Sequence, residues 1–302
     1  MIVANLVNSR AAKPGRAGAK LEILQAAALK RIPWLVHGFS TRSGGVTTSY
    51  GTRSLNLGFT KEDNRERVQE NRKRLLVAVG AETRKKPWPL IVNRQVHSDI
   101  IHVVRTPREG LLVGDGLITN LPGVALAVQT ADCFPVLLVD TANQVVGAFH
   151  AGWRGTVKRI VEKGVGVMRH EFGSRPKDIY AAIGPGIQQC CFEVGEEVRQ
   201  EFESQFSWAG ELFHEVRSSD AVRERYPLLF MNARAPGHGP DCAKLHLDLR
   251  EANRRQLIAA GVPASHISAL EGCTVSDTRR FFSHRAEKGN TGRMMAVIGI
   301  AS

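Results

Sequence analysis

"VALAVQTADCFPVLLVDTANQVVGAFHAGWRGT" runs from Val124 to Thr156. Three short apolar runs rich in β-branched residues read as strands, with "TANQ" as a turn between the second and third. "ADC" separates the first two, so Cys133 sits at a strand-to-strand corner. The third run, "VVGAFHAG", is a buried-type strand that ends on His150. Gly152 and Gly155 lead into a helix for which Thr156 is the expected cap, with Val157, Ile160, Val161, Val165 and Met168 as its apolar face. His150 is thus placed at the carboxyl end of a strand, next to a helix amino terminus.

Upstream, Leu21–Ala28 reads as a short helix, and "WLVHGFSTRSGGV" as a strand that runs into a turn at Gly44 and Gly45. Asp63 and Glu66 form a capping-box pattern. Val68, Leu75, Leu76 and Val79 then repeat at helical spacing until Gly80 stops the run. "LIVNRQVHS" and "IIHVVR" read as strands, with "GDGLITNLPG" as a turn-rich connection. Downstream come a strand at "IYAAIGPG", a helix over Glu196–Phe206, a loop from about Arg234 to Asp241, and a helix over Leu249–Ala260 stopped by Gly261 and Pro263. Strands at "HISALEG", "RFFSHR" and "MMAVIGI" close the chain. There is no tandem repeat and no long linker. The expectation is an α/β (α+β) protein, with residues 1–30 as a flexible basic arm and 31–302 as a single domain.

The 302 residues are 43% hydrophobic and 23% charged, ordinary values for a globular domain. No run approaches the roughly 20 apolar residues of a membrane span. The first twenty residues carry Arg10, Lys13, Arg16 and Lys20 with no acid, but lack the continuous apolar stretch of a secretory signal. A balance of 41 Lys and Arg against 29 Asp and Glu gives +12, which suits phosphate-bearing partners. Aromatics are only 6% and scattered, which disfavours a nucleic-acid strand as the partner. The five cysteines form no even framework and no Cys-x-x-Cys pair, consistent with free thiols in a reducing, cytoplasmic setting. Adjacent Cys190 and Cys191 would face opposite sides of a strand.

His97 in "RQVHS", Cys133 in "TADCFP" and His150 in "AFHAGWRG" all fall at the edges of apolar strands. Two imidazoles and a thiolate make a three-ligand zinc site with one position open; a buried thiol with two hydrogen-bonded histidines is the other reading. Asp132 would orient a ligand imidazole or act as acid or base, or else bond nearby backbone N–H groups as a turn residue. In "GWRGT", Arg154 and the helix amino terminus offer an anion site, unless Arg154 simply faces solvent.

The set "HGFSTRSGGV", "SLNLG", "QVHS", "DGLIT", "TADCFPVLL", "GAFHAGWRGT", "AAIGPGIQQCCFEVG", "LDLREANRRQL" and "FFSHR…GRMMAVIGI" resembles the family long labelled multicopper polyphenol oxidase or laccase-like, also called the peptidoglycan editing factor family. Its members are understood as purine nucleoside phosphorylases with adenosine deaminase activity. The likeness runs from about Trp34 to the carboxyl end. It implies a laccase-like or cysteine-hydrolase-like fold, a single domain with layered mixed β-sheets flanked by helices. It implies Zn2+ held by His97, Cys133 and His150, and phosphorolysis of adenosine, inosine, guanosine or S-methyl-5'-thioadenosine. Asp132, Cys133 and His150 are then the catalytic candidates. Arg42, Arg154 and Arg285 are candidates for phosphate, and His37 and His284 for lining the pocket. The oligomeric state, monomer or dimer, stays open.

Three other readings stand beside this one. A copper-loaded polyphenol oxidase follows the older label, and Cu2+ would bind such a site in vitro, but the His-x-His pairs of a multicopper centre do not occur in the sequence. A metal-free cysteine hydrolase or deamidase would use Cys133 as nucleophile and His150 as base. A non-catalytic, RNA-associated basic protein is the third.

Overall fold

The three runs after Val124 are continuously apolar because each becomes a strand whose alternate side chains face two different buried layers. The computed structural model of the chain describes residues 21–107, 110–216 and 244–301. In chain order the strands are β1 (Ile23–Leu24), β2 (Leu35–Ser40), β3 (Ser43–Thr47), β4 (Glu82–Thr83), β5 (Lys86–Pro87), β6 (Leu90–Val92), β7 (Ile101–Val103), β8 (Gly116–Thr119), β9 (Ala125–Thr130), β10 (Phe134–Asp140), β11 (Val145–Ala151), β12 (Ile179–Ile183), β13 (Glu193–Val194), β14 (Phe213–Val216), β15 (Lys244–Leu247), β16 (Ile267–Ala269) and β17 (Met294–Ile300). The helices are α1 (Ala27–Lys30), α2 (Arg65–Val79), α3 (Trp153–Val157), α4 (Ile160–Phe172), α5 (Glu196–Gln205) and α6 (Leu249–Ala259).

A five-stranded sheet, in the order β1-β2-β17-β9-β6, faces a six-stranded sheet, β16-β12-β10-β11-β8-β7. Both are mixed, with parallel pairs β6/β9, β12/β16 and β7/β8. Leu126, Val128, Leu137, Val139, Val146, Ala148, Ala296 and Ile298 fill the space between the sheets. Their neighbours in sequence face outward. Ala125, Ala127 and Val297 pack with Leu75, Leu76 and Val79 of α2, whereas Val136, Leu138 and Phe149 pack under α4 and α6. The layers therefore run helix, sheet, sheet, helix in one mixed α/β domain. Helix α4 approaches closely because Gly164 has no side chain, since a Cβ there would lie 2.6 Å from the Phe149 ring. Truncating Phe149 would cost about 3–5 kcal/mol.

Between β9 and β10 the chain crosses from one sheet to the other. Ala131–Cys133 make the crossing, with Asp132 at φ 97°. The hairpin β10–β11 then pairs Phe134 with Ala151 and Pro135 with His150, so its register brings Cys133 and His150 to the same end of the sheet. At the opposite end the Asp140 carboxylate accepts the Ala142 and Asn143 N–H groups at 2.8 and 3.2 Å and closes the "TANQ" turn.

Several local expectations need correction. In place of a helix over Leu21–Ala28, β1 pairs with β2 and α1 is four residues long, with Ala26 and Leu29 buried. Residues 21–30 are thus part of the fold, while 1–20 lie outside the described residues. Asn64, not Asp63, caps α2, accepting N–H bonds from Glu66 and Arg67; Gly80 ends the helix at φ 82°. Strand β6 stops at Val92, so His97 stands on a loop, at φ 59°. "GDGLITNLPG" contains the fully buried strand β8, which its flanking Gly and Asp residues disguised. Thr156 lies inside α3, which begins after Gly152, and its hydroxyl pairs with Asn253. Arg159, at φ 66°, breaks α3 from α4. "RFFSHR" is a turn-rich segment whose Phe281 and Phe282 are buried, and Cys190 and Cys191 share a turn with their sulfurs 3.4 Å apart. The predicted loop from Arg234 to Asp241 lies outside the described residues. Among those residues no helix is long and apolar enough to cross a membrane.

Candidate active site

Asp115, just before β8, is fully buried and organises this end of the six-stranded sheet. Its carboxylate accepts the backbone N–H groups of Val96, His97 and Ser98 at 3.2, 3.1 and 2.7 Å, and the Ser98 hydroxyl at 2.7 Å. These bonds hold the 96–98 turn in the conformation that gives His97 its positive φ. The same carboxylate accepts His150 Nδ1 at 2.8 Å, and the Asp115 carbonyl accepts the His150 N–H at 2.8 Å. One carboxylate thus positions two imidazoles that are 53 residues apart in sequence.

His97, Cys133 and His150 meet there, with one donor atom from each within 4.8 Å of the others. The two imidazole rings stand edge to face at 4.9 Å. Burial alone would push the Cys133 thiol up and the His150 imidazole down. Their mutual charge and hydrogen bonding, with Asp115 behind His150, win instead, bringing the thiol to about 6 and the imidazole to about 9. Burial also opposes the charge on Asp115, yet the bonds from His150 and Ser98 hold its carboxyl well below the usual carboxylate range.

The trio fits a metal ion. Two imidazoles and a thiolate are borderline-soft donors, and a ligating histidine held by a carboxylate through its other ring nitrogen is the usual outer shell of such centres. The space is kept by Gly152, where a Cβ would lie 2.9 Å from Cys133 Sγ and 3.1 Å from His97 Cδ2.

The three donors line a cavity of about 350 Å³, and Asp132, Arg154, His284 and Arg285 line it too. Asp132 accepts the Thr274 hydroxyl at 2.6 Å and the Arg285 backbone N–H at 2.7 Å, which ties the sheet crossing to the 272–285 segment. Arg285 donates from both terminal nitrogens to the Glu193 carbonyl at 3.1 Å. The Arg154 guanidinium lies 4.4 Å over the Trp153 ring.

Two expected pocket residues are elsewhere. Arg42 donates to the carbonyls of Phe281 (3.2 Å), Tyr50 (2.9 Å) and Thr278, and pairs with Glu287 at 3.1 Å, so it braces a loop. His37 is buried in the other sheet and accepts the Ala26 N–H at 3.1 Å through Nε2. Neither lines the cavity.

Sequence reasoning missed Asp115, Gln95, Gln129, Trp153, Phe192 and Arg293. The Gln95 side chain grips the Gln129 backbone, its Nε2 donating to the Gln129 carbonyl and its Oε1 accepting the Gln129 N–H, both at 2.7 Å, and both residues line the cavity. Trp153 and Phe192, with Ile187 and Leu249, give it apolar walls, and Arg293 adds a cation. Trp153 stands beside His150 in "HAGWRG", a nearness that could have flagged it.

The chain is similar along most of its length to proteins of known name. It is 39% identical over 264 residues to the purine nucleoside phosphorylase of Deinococcus radiodurans, covering 87% of this chain and 88% of that one. It is 35% identical over 272 residues to adenosine deaminase RL5 from an unknown prokaryotic organism, covering 87% and 93%. Among solved structures, YlmD from Geobacillus stearothermophilus superposes with a TM-score of 0.73 at 33% identity, covering 96% of this chain and 98% of that one. Residues 36–301 match the family described as multi-copper polyphenol oxidoreductase laccase, and with nearly the whole domain inside that match the chain belongs to this family.

Proposed function

We propose that the protein is a zinc-dependent purine nucleoside phosphorylase that also deaminates adenosine. The observation that carries this reading is the convergence of His97, Cys133 and His150 on one wall of a cavity that also holds arginines and aromatic rings. The names of relatives that are 35–39% identical over most of the chain support it. An ion held by the trio would polarise substrate oxygen and lower the pKa of water from about 15.7 toward 7.

The remaining work falls to the protein's own groups. Trp153 and Phe192 offer faces on which a purine can lie. Arg154, Arg285 and Arg293 supply positive charge for phosphate. In phosphorolysis the bond from ribose C1' to the purine nitrogen breaks, a phosphate oxygen bonds C1', and the base leaves with a proton. We assign the carriage of that proton to Asp132, or to His284, which also lines the cavity. In deamination water adds at purine C6 and ammonia departs, and Asp132 again moves the proton. Asp115 holds His150 in one tautomer throughout.

The test is to incubate zinc-loaded protein with adenosine, with and without phosphate, and to separate the products. Adenine and ribose-1-phosphate formed only with phosphate, and inosine formed without it, are expected. Failure to form either product would overturn the reading.

The low thiol pKa of Cys133 favours one alternative, a metal-free cysteine hydrolase with His150 as base. Stoichiometric zinc, together with a Cys133 protected from alkylation until chelation, would reject it.

A further inference from the structure

Apart from the cavity, the described residues bring together a second group of metal-ligating atoms. The sulfurs of Cys190, Cys191 and Cys273 lie within 4.8 Å of one another. Ser276 Oγ lies 3.1 Å from Cys191 Sγ and 3.8 Å from Cys190 Sγ. The two loops that carry the cysteines are tied together. Thr274 N–H donates to the Gly186 carbonyl at 3.2 Å, and Gln188 Nε2 donates to the Gly272 carbonyl at 3.3 Å.

All three cysteines are free, and Cys191 and Cys273 are half-buried. Cys190 is exposed, which leaves an entry path.

We propose that Cys190, Cys191 and Cys273 form a second site, composed of sulfur alone, that binds Cu(I). Soft thiolates select Cu(I) among the common ions, and three sulfurs suffice for its trigonal coordination. With metal–sulfur bonds of about 2.3 Å, a trigonal arrangement spaces the sulfurs about 4.0 Å apart, within reach of the observed cluster. A structural zinc site is closed by four protein ligands, and the further group beside these sulfurs is the neutral Ser276 hydroxyl. On binding, three copper–sulfur bonds form, the thiol protons pass to solvent, and the copper keeps its oxidation state.

The test uses the full chain with Cys133→Ala, which removes the sulfur of the first site and makes the result independent of nucleoside turnover. Cu(I) is supplied anaerobically against bicinchoninate. One Cu(I) per chain with a near-ultraviolet thiolate-to-copper band is expected, along with protection of Cys190, Cys191 and Cys273 from iodoacetamide, read by mass spectrometry. Adding Cys191→Ser and Cys273→Ser should weaken binding at least 100-fold. The labelling readout stands even if that variant folds poorly. No Cu(I) uptake by the Cys133→Ala chain, unprotected cysteines, or zinc held in preference to Cu(I) would each overturn the assignment.

Discussion

His37 and His150 are both buried histidines on inner strands, one in each sheet, and their chemistry is opposite. His37 has a backbone N–H as its ring partner and no charge to balance it, so burial drives its pKa down to about 4. For His150 burial acts in the same direction, but the Cys133 thiolate and the Asp115 carboxylate overcome it and lift the pKa to about 9. Burial alone keeps an imidazole neutral; an acid behind it and a thiolate before it orient it and favour its protonated form, which must give up its Nε2 proton when a metal binds.

The largest way to break that contrast is to remove Asp115. Asp115→Ala strips His150 of its Nδ1 partner and leaves the partly buried N–H groups of Val96, His97 and Ser98 without their acceptor. Orphaned donors cost about 1–3 kcal/mol each, so unfolding in urea should show a loss of about 3 kcal/mol or more. Metal affinity, measured by chelator competition, should fall about 10–100-fold beyond any fraction lost to unfolding. Asp115→Asn keeps the shape without the charge and should fall between this variant and wild type. An Asp115→Ala protein with wild-type affinity would show that His150 needs no carboxylate.

Asp115 also marks the limit of what the sequence discloses. The strands on either side of Cys133 are legible because both faces of β9, β10 and β11 are buried, so hydrophobicity alone delimits them. The positions of Cys133 and His150 follow from those strands. The positive φ of His97 and its approach to His150 do not, because they depend on polar bonds to a carboxylate 18 residues further on. An aspartate before glycine reads as a turn, and nothing local says that it is buried. Arg42 misled in the opposite way. It stands among glycines like an anion ligand, but backbone carbonyls from a segment more than 230 residues away satisfy it.

Gly152 tests the space between the strand-borne and loop-borne ligands. Its φ of −75° suits any residue, so Gly152→Ala leaves the backbone unstrained. The new methyl would meet Cys133 Sγ at 2.9 Å and His97 Cδ2 at 3.1 Å, closer than the packing allows. His97 should yield first, because its loop is less constrained than the sheet. A fall of roughly tenfold in metal affinity with an unchanged melting temperature is expected, in line with other small disturbances of ligand geometry. A smaller effect concerns metal-free protein, where Cys133 should react with iodoacetamide along a pH curve centred near 6, not the ordinary 9. His150→Gln should move that midpoint upward. A midpoint unchanged by that substitution would show that the imidazole does not support the thiolate.

The gentlest test returns to His37. Its folded pKa of about 4 lies below the ordinary 6.5, so between those values the unfolded chain binds a proton that the folded chain refuses. Stability is therefore highest above pH 6.5, falls as the pH drops through that window, and levels off below 4. Between pH 7 and pH 5 this group alone should remove about 2 kcal/mol. His37→Gln takes the titration away, so its urea midpoint should vary less over that range than the wild-type midpoint, whatever the substitution costs at pH 7. His150 cannot produce that loss on acidification, because its raised pKa stabilises the fold below 6.5 and loses the effect only as the pH rises through about 9. Equal pH dependence in wild type and His37→Gln would mean that His37 accepts a proton within the fold, and the contrast between the two histidines would fail at its simpler end.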